Sequence, residues 1–437
     1  MSLQTNYYTN WGKNIFIKTK IYYPENIDEL KKLIKKKNFI IAGNQRSFGD
    51  AAFNKKNIIS LKKFNKIKYF DTKKGLIEIE SGKLLIDILK IVIKNGWFVP
   101  VTPGTKYVTF GGMISNNVHG KNSKNNYLRN YITEITLING NNKIIKCSKK
   151  KNRTLFDAVI GGYGLCGIIL SAKIQLKKIN SQQIDQKIIQ FKNYEELKKL
   201  FLSNKSFEYS VAWIEKVSKD SISGLMYLGS HCKKNNNLLE KIRFGDRKMK
   251  LFEEMFLRLF TQNYFTIKII NFFYKKLKFY FQKKNINFNN FFYPQDKFIN
   301  FNKIYSKGFF QTQFLVSTNQ IQEVFNKIHN FFLRNRVFST FIILKQINEK
   351  GKNIDFTGKG ISISMDIPIN EKYEKTVKFL NKLFIEHKIK INFSKDFILK
   401  KDSIKLNNDF KKFKHLVYSF NKKKKLNSFF SNRLGLT

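Results

Sequence analysis

The stretch FIIAGNQRSFGD, at residues 39 to 50, joins a short apolar run to a polar loop that glycines flank. The apolar run is bounded by polar residues, which predicts a buried strand. Gly43 and Gly49 let the backbone amides of the loop close around a diphosphate without a helix. Arg46 would add positive charge there, and Ser47 a hydrogen-bond donor. An ordinary loop at a strand end is the alternative, and this stretch alone leaves both open.

A second loop of small residues begins about 60 residues further along the chain. Pro103-Gly104-Thr105 precedes the stretch TFGGMISNNVHGKN, at residues 109 to 122. Small residues let a backbone pack closely against a flat or polar partner. His119 is the one histidine of five in such a setting, so we consider it a functional candidate, with a structural histidine as the alternative.

A literal GxGxxG motif occurs at residues 162 to 167. A dinucleotide site of the Rossmann type needs this motif between a strand and a helix. The residues that follow, IILSAKI at 168 to 174, are typical of a strand. We therefore predict a tight turn that leads into a strand, and no Rossmann site.

The hydrophobic pattern divides the chain into two parts, which predicts an α+β protein with two domains. Residues 8 to 178 alternate short helices and strands, and residues 132 to 138 and 143 to 147 flank a turn typical of a hairpin. Within residues 179 to 409, the segments 311 to 316 and 361 to 367 alternate strictly. They predict an antiparallel sheet with one solvent-facing side. Residues 410 to 437 are expected to pack back on the first domain.

The charge is strongly unbalanced, with 82 basic and 31 acidic residues and a formal net charge of +51. Such an excess is typical of proteins that bind nucleic acids or anionic membranes. The basic residues are spread along the chain and are nearly all lysine, whereas readers of phosphates and bases favour arginine. Lys, Asn, Ile and Phe share AT-rich codons, so a biased genome is the alternative, and both explanations can hold together. We expect no specific nucleic-acid partner.

Residues 251 to 280 form a basic, aromatic insertion in which Phe, Leu and Met alternate with Lys. This composition suits docking at a membrane interface, and a mobile insertion with a buried apolar stripe is the alternative. The sequence contains no run of 18 uncharged apolar residues, so it predicts no helix that spans a membrane. No spacing of possible ligand residues predicts a metal site. Three cysteines without a CxxC motif suggest reduced thiols. We expect a cytoplasmic protein, with a peripheral position at the inner membrane face as the further option.

The two loops, in this order, resemble the vanillyl-alcohol-oxidase or PCMH type of FAD-binding domain. Within that type, the chain resembles the decaprenylphosphoryl-β-D-ribose 2′-oxidase family, the flavin subunit of an epimerase that serves cell-envelope polysaccharide synthesis. The likeness covers nearly the whole chain and rests on RSFGD (46 to 50), HGKN (119 to 122), QTQF (311 to 314) and SKD (394 to 396). It implies an FAD-binding domain over residues 8 to 178 and a substrate-binding domain over residues 179 to 409.

The resemblance also implies which residues bind FAD. In many sugar and alditol oxidases of this superfamily a histidine in the first loop is bonded to the flavin, and Arg46 holds that position here. The implied cofactor is therefore non-covalent FAD. The implied FAD-binding residues are Ile41, Ala42, Gly43, Asn44, Gln45, Arg46, Ser47, Phe48, Gly49, Asp50, Ala51, Gly104, Thr109, Phe110, Gly111, Gly112, Asn116, Asn117, Val118, His119, Ile169 and Asn392.

The resemblance places two catalytic residues, His119 and Lys395, beside the flavin ring. Lys395 would stabilise negative charge on the reduced flavin or accept the proton of the substrate hydroxyl. His119 would be the second candidate base or would orient the substrate. The implied substrate pocket holds Gln311, Gln313 and Lys345, together with Ser364 and Phe292. Ser364 stands where the family has Cys, and Phe292 and Phe48 stand where it has Tyr.

The implied reaction is the FAD-dependent oxidation of a sugar hydroxyl, the 2′-OH of a polyprenylphosphoryl-ribose-like substrate, to a keto sugar. An NADH-dependent short-chain reductase would be the partner that takes the product. A soluble sugar, alditol or aldonolactone oxidase on the same fold is the first alternative. A basic nucleic-acid-binding protein without flavin is the second.

Overall fold

The computed structural model describes all residues except 1, 125, 126, 234 to 241, 243, 262, 350, 353 and 405 to 407. The described strands are β1 (Ser2–Thr9), β2 (Phe16–Tyr23), β3 (Ile40–Ala42), β4 (Asn57–Ser60), β5 (Ile67–Asp71), β6 (Leu76–Glu80), β7 (Trp97–Phe98), β8 (Ile132–Ile138), β9 (Ile144–Ser148), β10 (Ile168–Gln175), β11 (Lys177–Lys178), β12 (Gln183–Phe191), β13 (Tyr209–Ser218), β14 (Ser221–His231), β15 (Asn285–Asn287), β16 (Phe309–Val316), β17 (Phe341–Glu349), β18 (Gly358–Pro368) and β19 (Lys390–Ile391). The described helices are α1 (Ile27–Lys36), α2 (Leu85–Val92), α3 (Phe110–Ser115), α4 (Arg153–Val159), α5 (Tyr194–Ser203), α6 (Leu251–Thr261), α7 (Tyr264–Tyr280), α8 (Phe288–Phe292), α9 (Ile321–Asn335), α10 (Tyr373–Glu386), α11 (Lys401–Ile404), α12 (Asn408–Phe420) and α13 (Phe429–Leu434).

Two sheets form most of the N-terminal part. The first has the order β1-β2-β4-β3, in which β4 pairs in parallel with β2 and β3. The second is antiparallel with the order β5-β6-β10-β8-β9. It contains the predicted hairpin, since β8 pairs with β9 from Glu134 opposite Ser148 to Ile138 opposite Ile144.

The GxGxxG motif forms the predicted turn. Gly161, Tyr163 and Gly164 have φ angles of 75°, 51° and 77°. Left-handed backbone of this kind reverses the chain sharply and ends a regular element. The chain then enters β10 at Ile168, so the motif precedes a strand and opens no helix.

An eight-stranded sheet forms the centre of the second part, with the order β15-β12-β14-β13-β17-β18-β16-β19. The predicted strands at 311 to 316 and 361 to 367 lie in β16 and β18, which pair antiparallel. The predicted solvent-facing side is wrong for β16, because all eight of its residues are buried. Phe314 packs on Phe384 of α10 on one face, and Gln313 bonds His119 on the other.

The C-terminal segment lies against the N-terminal part of the chain. Leu426 forms a parallel bridge with Phe39, and Asn54 donates from Nδ2 to Oδ1 of Asn427 at 2.6 Å. In α13, Arg433 pairs with Asp50 at 2.9 Å. The end of the chain therefore contacts the loop that follows β3.

Helices α6 and α7 follow β14 and lie on the outside of the sheet. Tyr274 of α7 packs edge-on against Trp213 of β13, with ring centroids 4.9 Å apart. Lys275 pairs with Glu215 of the same strand at 2.8 Å. Among the described residues, no helix has the length and apolar character needed to span a membrane.

Candidate active site

A cleft lies between the two glycine-rich loops and the face of β16, β17 and β18 that carries Gln311 and Lys345. Of the predicted FAD-binding residues, all but Gly49, Asp50 and Phe110 line it. The predicted catalytic residues His119 and Lys395 line it as well. Residues far apart in sequence thus meet on one surface.

The loop after β3 presents unpaired amides to this cleft. Within the described part of the chain, the five backbone N–H groups from Asn44 to Phe48 donate to no protein acceptor. Gln45 has a φ angle of 53°, and alternation of left- and right-handed backbone directs successive amides into one concavity that binds anions. The loop is therefore suited to the FAD diphosphate.

Arg46 reinforces the positive character of this loop. Its guanidinium lies 4.1 Å from the ring centroid of Trp11 and 5.1 Å from that of Tyr107. Stacking between two rings fixes the orientation of a planar cation and leaves its edges for an anion. As the sequence predicts, Arg46 stands in the loop where a covalent link would need a histidine.

Gly49 and Asp50 do not line the cleft but connect the first loop to the segment that carries Lys395. Gly49 donates to the carbonyl of Ser394 at 3.1 Å, and an added Cβ at Gly49 would lie 2.5 Å from the carbonyl oxygen of Asp396. Arg433 bonds Asp50 at 2.9 Å and Asp396 at 3.1 Å. The first loop is thereby clamped to the segment that carries Lys395.

The second loop is built around the short helix α3. The Thr109 side chain caps it by accepting from Gly112, and Phe110 is buried in the core and does not reach the cleft. Gly111 packs against Ser81, where an added Cβ would lie 2.7 Å from the Ser81 Cβ. At Gly104 an added Cβ would meet no atom within 4 Å, so this glycine borders open space in the cleft.

His119 ends a chain of hydrogen bonds that begins at the sheet. Nε2 of Gln313 lies 2.9 Å from Nε2 of His119 and 2.8 Å from the hydroxyl of Ser362, to which it donates. Asn392 donates from Nδ2 to Oε1 of Gln313 at 2.7 Å, which fixes the orientation of that amide. Nε2 of His119 therefore accepts a hydrogen bond. Burial, with the positive charges of Lys345 and Lys395, lowers the pKa of His119 well below its usual value.

Two lysines of the cleft have lowered pKa values. Burial lowers the pKa of Lys395 to about 7, and the nearby charge of Lys345 acts in the same direction. The carboxylate of Asp366 opposes this by favouring the charged form of Lys395. Burial lowers the pKa of Lys345 to about 8 and raises that of Asp366 to about 6. Lys395 can therefore exchange a proton near neutral pH.

The predicted substrate residues divide into two groups. Gln311 and Lys345 line the cleft, and Gln313 lies directly behind its wall. Ser364 pairs with Gln313 in the sheet register and so shares its face, although it does not line the cleft.

Phe292 does not line the cleft, and its predicted role as a substrate contact stays a prediction. Its ring is buried among Phe98, Tyr209 and His231. Lys121 donates to the carbonyl of Phe292 at 3.3 Å, and its Nζ lies 6.0 Å from the centroid of the Phe292 ring.

Several residues of the site were not predicted. Lys121 has a pKa lowered to about 7 by burial and by the charge of Lys345, and Asp366 lies beside Gln311 and Lys395. Lys121 lies in the HGKN motif, on which the resemblance rests, so a signal for it was present in the sequence. Asp366 follows the predicted Ser364 by two residues. Tyr163 and Gly164 of the glycine turn also line the cleft.

Comparisons with known proteins agree with this geometry. Residues 19 to 148 match a family model described as FAD binding domain. The chain is 26% identical to decaprenylphosphoryl-β-D-ribose oxidase of Mycolicibacterium smegmatis over 378 residues, which cover 82% of this chain and 80% of that protein.

Two further similarities are confined to shorter segments. L-gulonolactone oxidase of Bos taurus is 26% identical over 174 residues, covering 38% of this chain and 40% of that protein. D-lactate dehydrogenase of Anaerostipes hadrus is 32% identical over 146 residues, covering 32% and 30%. The resemblance and the FAD cofactor inferred from the motifs are confirmed. The chain thus contains an FAD binding domain and is an FAD-dependent oxidoreductase that acts on CH–OH groups.

Proposed function

We propose that the chain oxidises a secondary hydroxyl of a sugar to a ketone, and that the hydroxyl is the 2′-OH of a polyprenylphosphoryl-ribose-like substrate. The observation that carries this proposal is the position of Lys395, with its lowered pKa, in the cleft that the diphosphate-binding loop also lines. The similarity over 82% of the chain to an oxidase named for decaprenylphosphoryl-β-D-ribose supports the substrate class.

The polar groups of the cleft suit a phosphorylated sugar. Gln311 lines the cleft, and its amide can both donate to and accept from sugar hydroxyls. Lys345 lines the cleft as well, and its protonated form favours an anionic substrate over a neutral alditol. A phosphate close to Lys345 would in turn favour this protonated form.

When bound, FAD supplies the hydride acceptor for alcohol oxidation. The residues of the chain handle the proton and the orientation. Nε2 of His119 already accepts a hydrogen bond from Gln313, so we assign His119 to orienting the substrate. Lys395, as a neutral amine, accepts the hydroxyl proton, and Asp366 stabilises the ammonium that results.

A soluble aldonolactone oxidase is the second candidate, which the similarity to L-gulonolactone oxidase over 38% of this chain favours. Anaerobic bleaching of the flavin separates the two. We expect a short-chain polyprenylphosphoryl-ribose to bleach the flavin, and free alditols and L-gulonolactone to leave it oxidised. Bleaching by the free compounds alone would refute the lipid-linked substrate, and a purified protein without flavin absorbance would refute the oxidase.

The chemistry of the product suggests a partner enzyme, and the chemistry of the substrate suggests a location in the cell. A keto sugar is ready for reduction from the opposite face, so we propose an NADH-dependent short-chain reductase as partner. A polyprenyl chain resides in a bilayer, so we propose that the protein is cytoplasmic and acts at the inner membrane face. Co-purification of such a reductase, or conversion of the keto product only when it is added, tests the partnership.

A further inference from the structure

Helices α6 and α7 expose an unusual amount of apolar surface. Of the 23 large hydrophobic side chains that are exposed in the described part of the chain, 14 lie between Leu251 and Phe281. Their exposed fractions range from 37% at Tyr274 to 77% at Phe252. Contiguous exposed apolar surface of this kind marks a site of interaction with a protein or a membrane.

The exposed side chains follow the helical repeat. In α7, Phe265, Ile269, Phe273 and Tyr280 recur at spacings of four or seven, which places them on one side of the helix. The opposite side contacts the sheet through Tyr274 and Lys275. The exposed side chains of α6 show the same regularity: Leu251, Phe252, Met255, Phe256 and Leu259.

Lysines lie beside these rings. Lys268 lies 4.5 Å from the ring centroid of Tyr264, Lys276 lies 4.5 Å from that of Phe272, and both lysines are exposed. Lys278 is exposed as well, and α7 contains no acidic residue. An amphipathic helix with lysines beside Phe, Leu and Ile is suited to lie in the interface of an anionic bilayer.

We propose that the α6–α7 surface, formed by these exposed side chains of Leu251–Thr261 and Tyr264–Tyr280, docks on an anionic lipid membrane. A second copy of the chain is a poorer occupant, because two faces with the same lysines and a net charge of +51 on each chain repel each other. A nucleic acid would engage the lysines and the rings, but it would leave Leu251, Leu259 and Ile269 in water.

Helix α6, which carries part of this surface, packs near residues that line the cleft. Leu257 of α6 packs in one cluster with Phe48 and Phe301, and both of these aromatic residues line the cleft. Docking would thus bring a bilayer near the site. The docking inference itself rests on the exposed side chains, and it holds whichever sugar the site oxidises.

The test is flotation of the full-length, flavin-loaded protein with vesicles of phosphatidylcholine alone and of phosphatidylcholine mixed with phosphatidylglycerol. We expect strong binding to the anionic vesicles that weakens at high salt, because salt screens the lysines. Combined substitution of Phe265→Ser, Ile269→Ser, Phe273→Ser and Tyr280→Ser should weaken binding at least about a hundredfold. The matched control replaces four residues with comparable exposure, Tyr7→Ser, Phe16→Ser, Leu202→Ser and Tyr418→Ser, and should bind normally.

A charge variant isolates the electrostatic part. Lys268→Gln and Lys276→Gln together should weaken binding to anionic vesicles by about fivefold per lysine and leave binding to neutral vesicles unchanged. Exposed lysines elsewhere are the control, namely Lys149→Gln and Lys205→Gln. Retained flavin absorbance shows that each variant is folded.

Three results would overturn the proposal. The first is binding to anionic vesicles that the serine variant leaves unchanged. The second is self-association without lipid that the serine variant abolishes, which would assign the surface to a second copy. The third is binding to a single-stranded oligonucleotide in place of vesicles.

Discussion

Lysine and aromatic side chains meet in two regions of this molecule, with opposite consequences. In the cleft, Lys395 lies 5.9 Å from the ring centroid of Phe48, and burial lowers its pKa to about 7. On the α6–α7 surface, Lys276 lies 4.5 Å from Phe272 and is exposed to water. Burial lowers the pKa of Lys395 into the range in which it exchanges protons, whereas Lys276 lies in water. We propose that the same pair of residue types serves proton transfer in the cleft and attraction to a membrane on the α6–α7 surface.

The largest expected effect is at the buried lysine. Lys395→Ala should lower turnover by about 10²- to 10⁴-fold, because the proton acceptor is lost, and should leave the protein loaded with FAD. Initial rates and the flavin absorbance measure the two outcomes. Lys400→Ala, an exposed lysine five residues along the same segment, is the control and should keep normal turnover. Near-normal activity of Lys395→Ala would remove its proposed role.

The second effect concerns the clamp that positions this lysine. Arg433→Ala leaves Asp50 and Asp396 buried without their partner, which should cost about 3–5 kcal/mol of the free energy of unfolding. Urea unfolding measures the loss. Arg153→Ala removes an exposed arginine and should change stability by less than about 0.5 kcal/mol. Equal stability of the two variants would contradict the clamp.

The third effect is on cofactor affinity. Arg46→Ala removes a cation from the diphosphate loop and should weaken FAD binding by about 2 kcal/mol, or about thirtyfold in Kd. Titration of the flavin-free protein with FAD, followed by fluorescence, gives the Kd. Arg46→Lys keeps the charge but loses the planar group that stacks on the rings. Its Kd for FAD should lie between the Kd of the unchanged protein and that of Arg46→Ala. An unchanged Kd for Arg46→Ala would place the diphosphate elsewhere.

The smallest effect is at the exposed lysine. Lys276→Gln should change the free energy of unfolding by less than about 0.5 kcal/mol and should leave turnover of a water-soluble substrate unaltered. Urea unfolding and initial rates test both statements. A large change in either would mean that Lys276 has a structural or catalytic role and that the contrast with Lys395 is wrong.

The fold and the site were predictable to different degrees. Local patterns sufficed for the β8–β9 hairpin and for the turn at residues 162 to 167, because turn residues and alternation are encoded nearby in sequence. Alternation in β16 predicted a strand but misplaced its polar residues in solvent. Gln311 lines the cleft, and Gln313 lies behind its wall and bonds His119, which is 194 residues away in the sequence.

The prediction of individual site residues from the sequence depended on the motifs that contain them. Lys395 is one of many lysines, and only the SKD motif distinguished it in the sequence. Its pKa is lowered by burial and by the charge of Lys345, against the opposing charge of Asp366, and all three arise from the tertiary structure. For Phe292 the motif gives the position in the chain but not the packing of its ring against Phe98, which is also tertiary.

The pH dependence of anaerobic flavin reduction tests most directly whether burial makes Lys395 the proton acceptor. A lowered pKa means that the neutral amine is scarce below about pH 7 and predominates above it. We expect the rate constant to rise with pH in a single step near pH 7, and Lys395→Met to remove this step. A rate constant that stays level or falls across this range, or a step that survives in Lys395→Met, would contradict this role of Lys395.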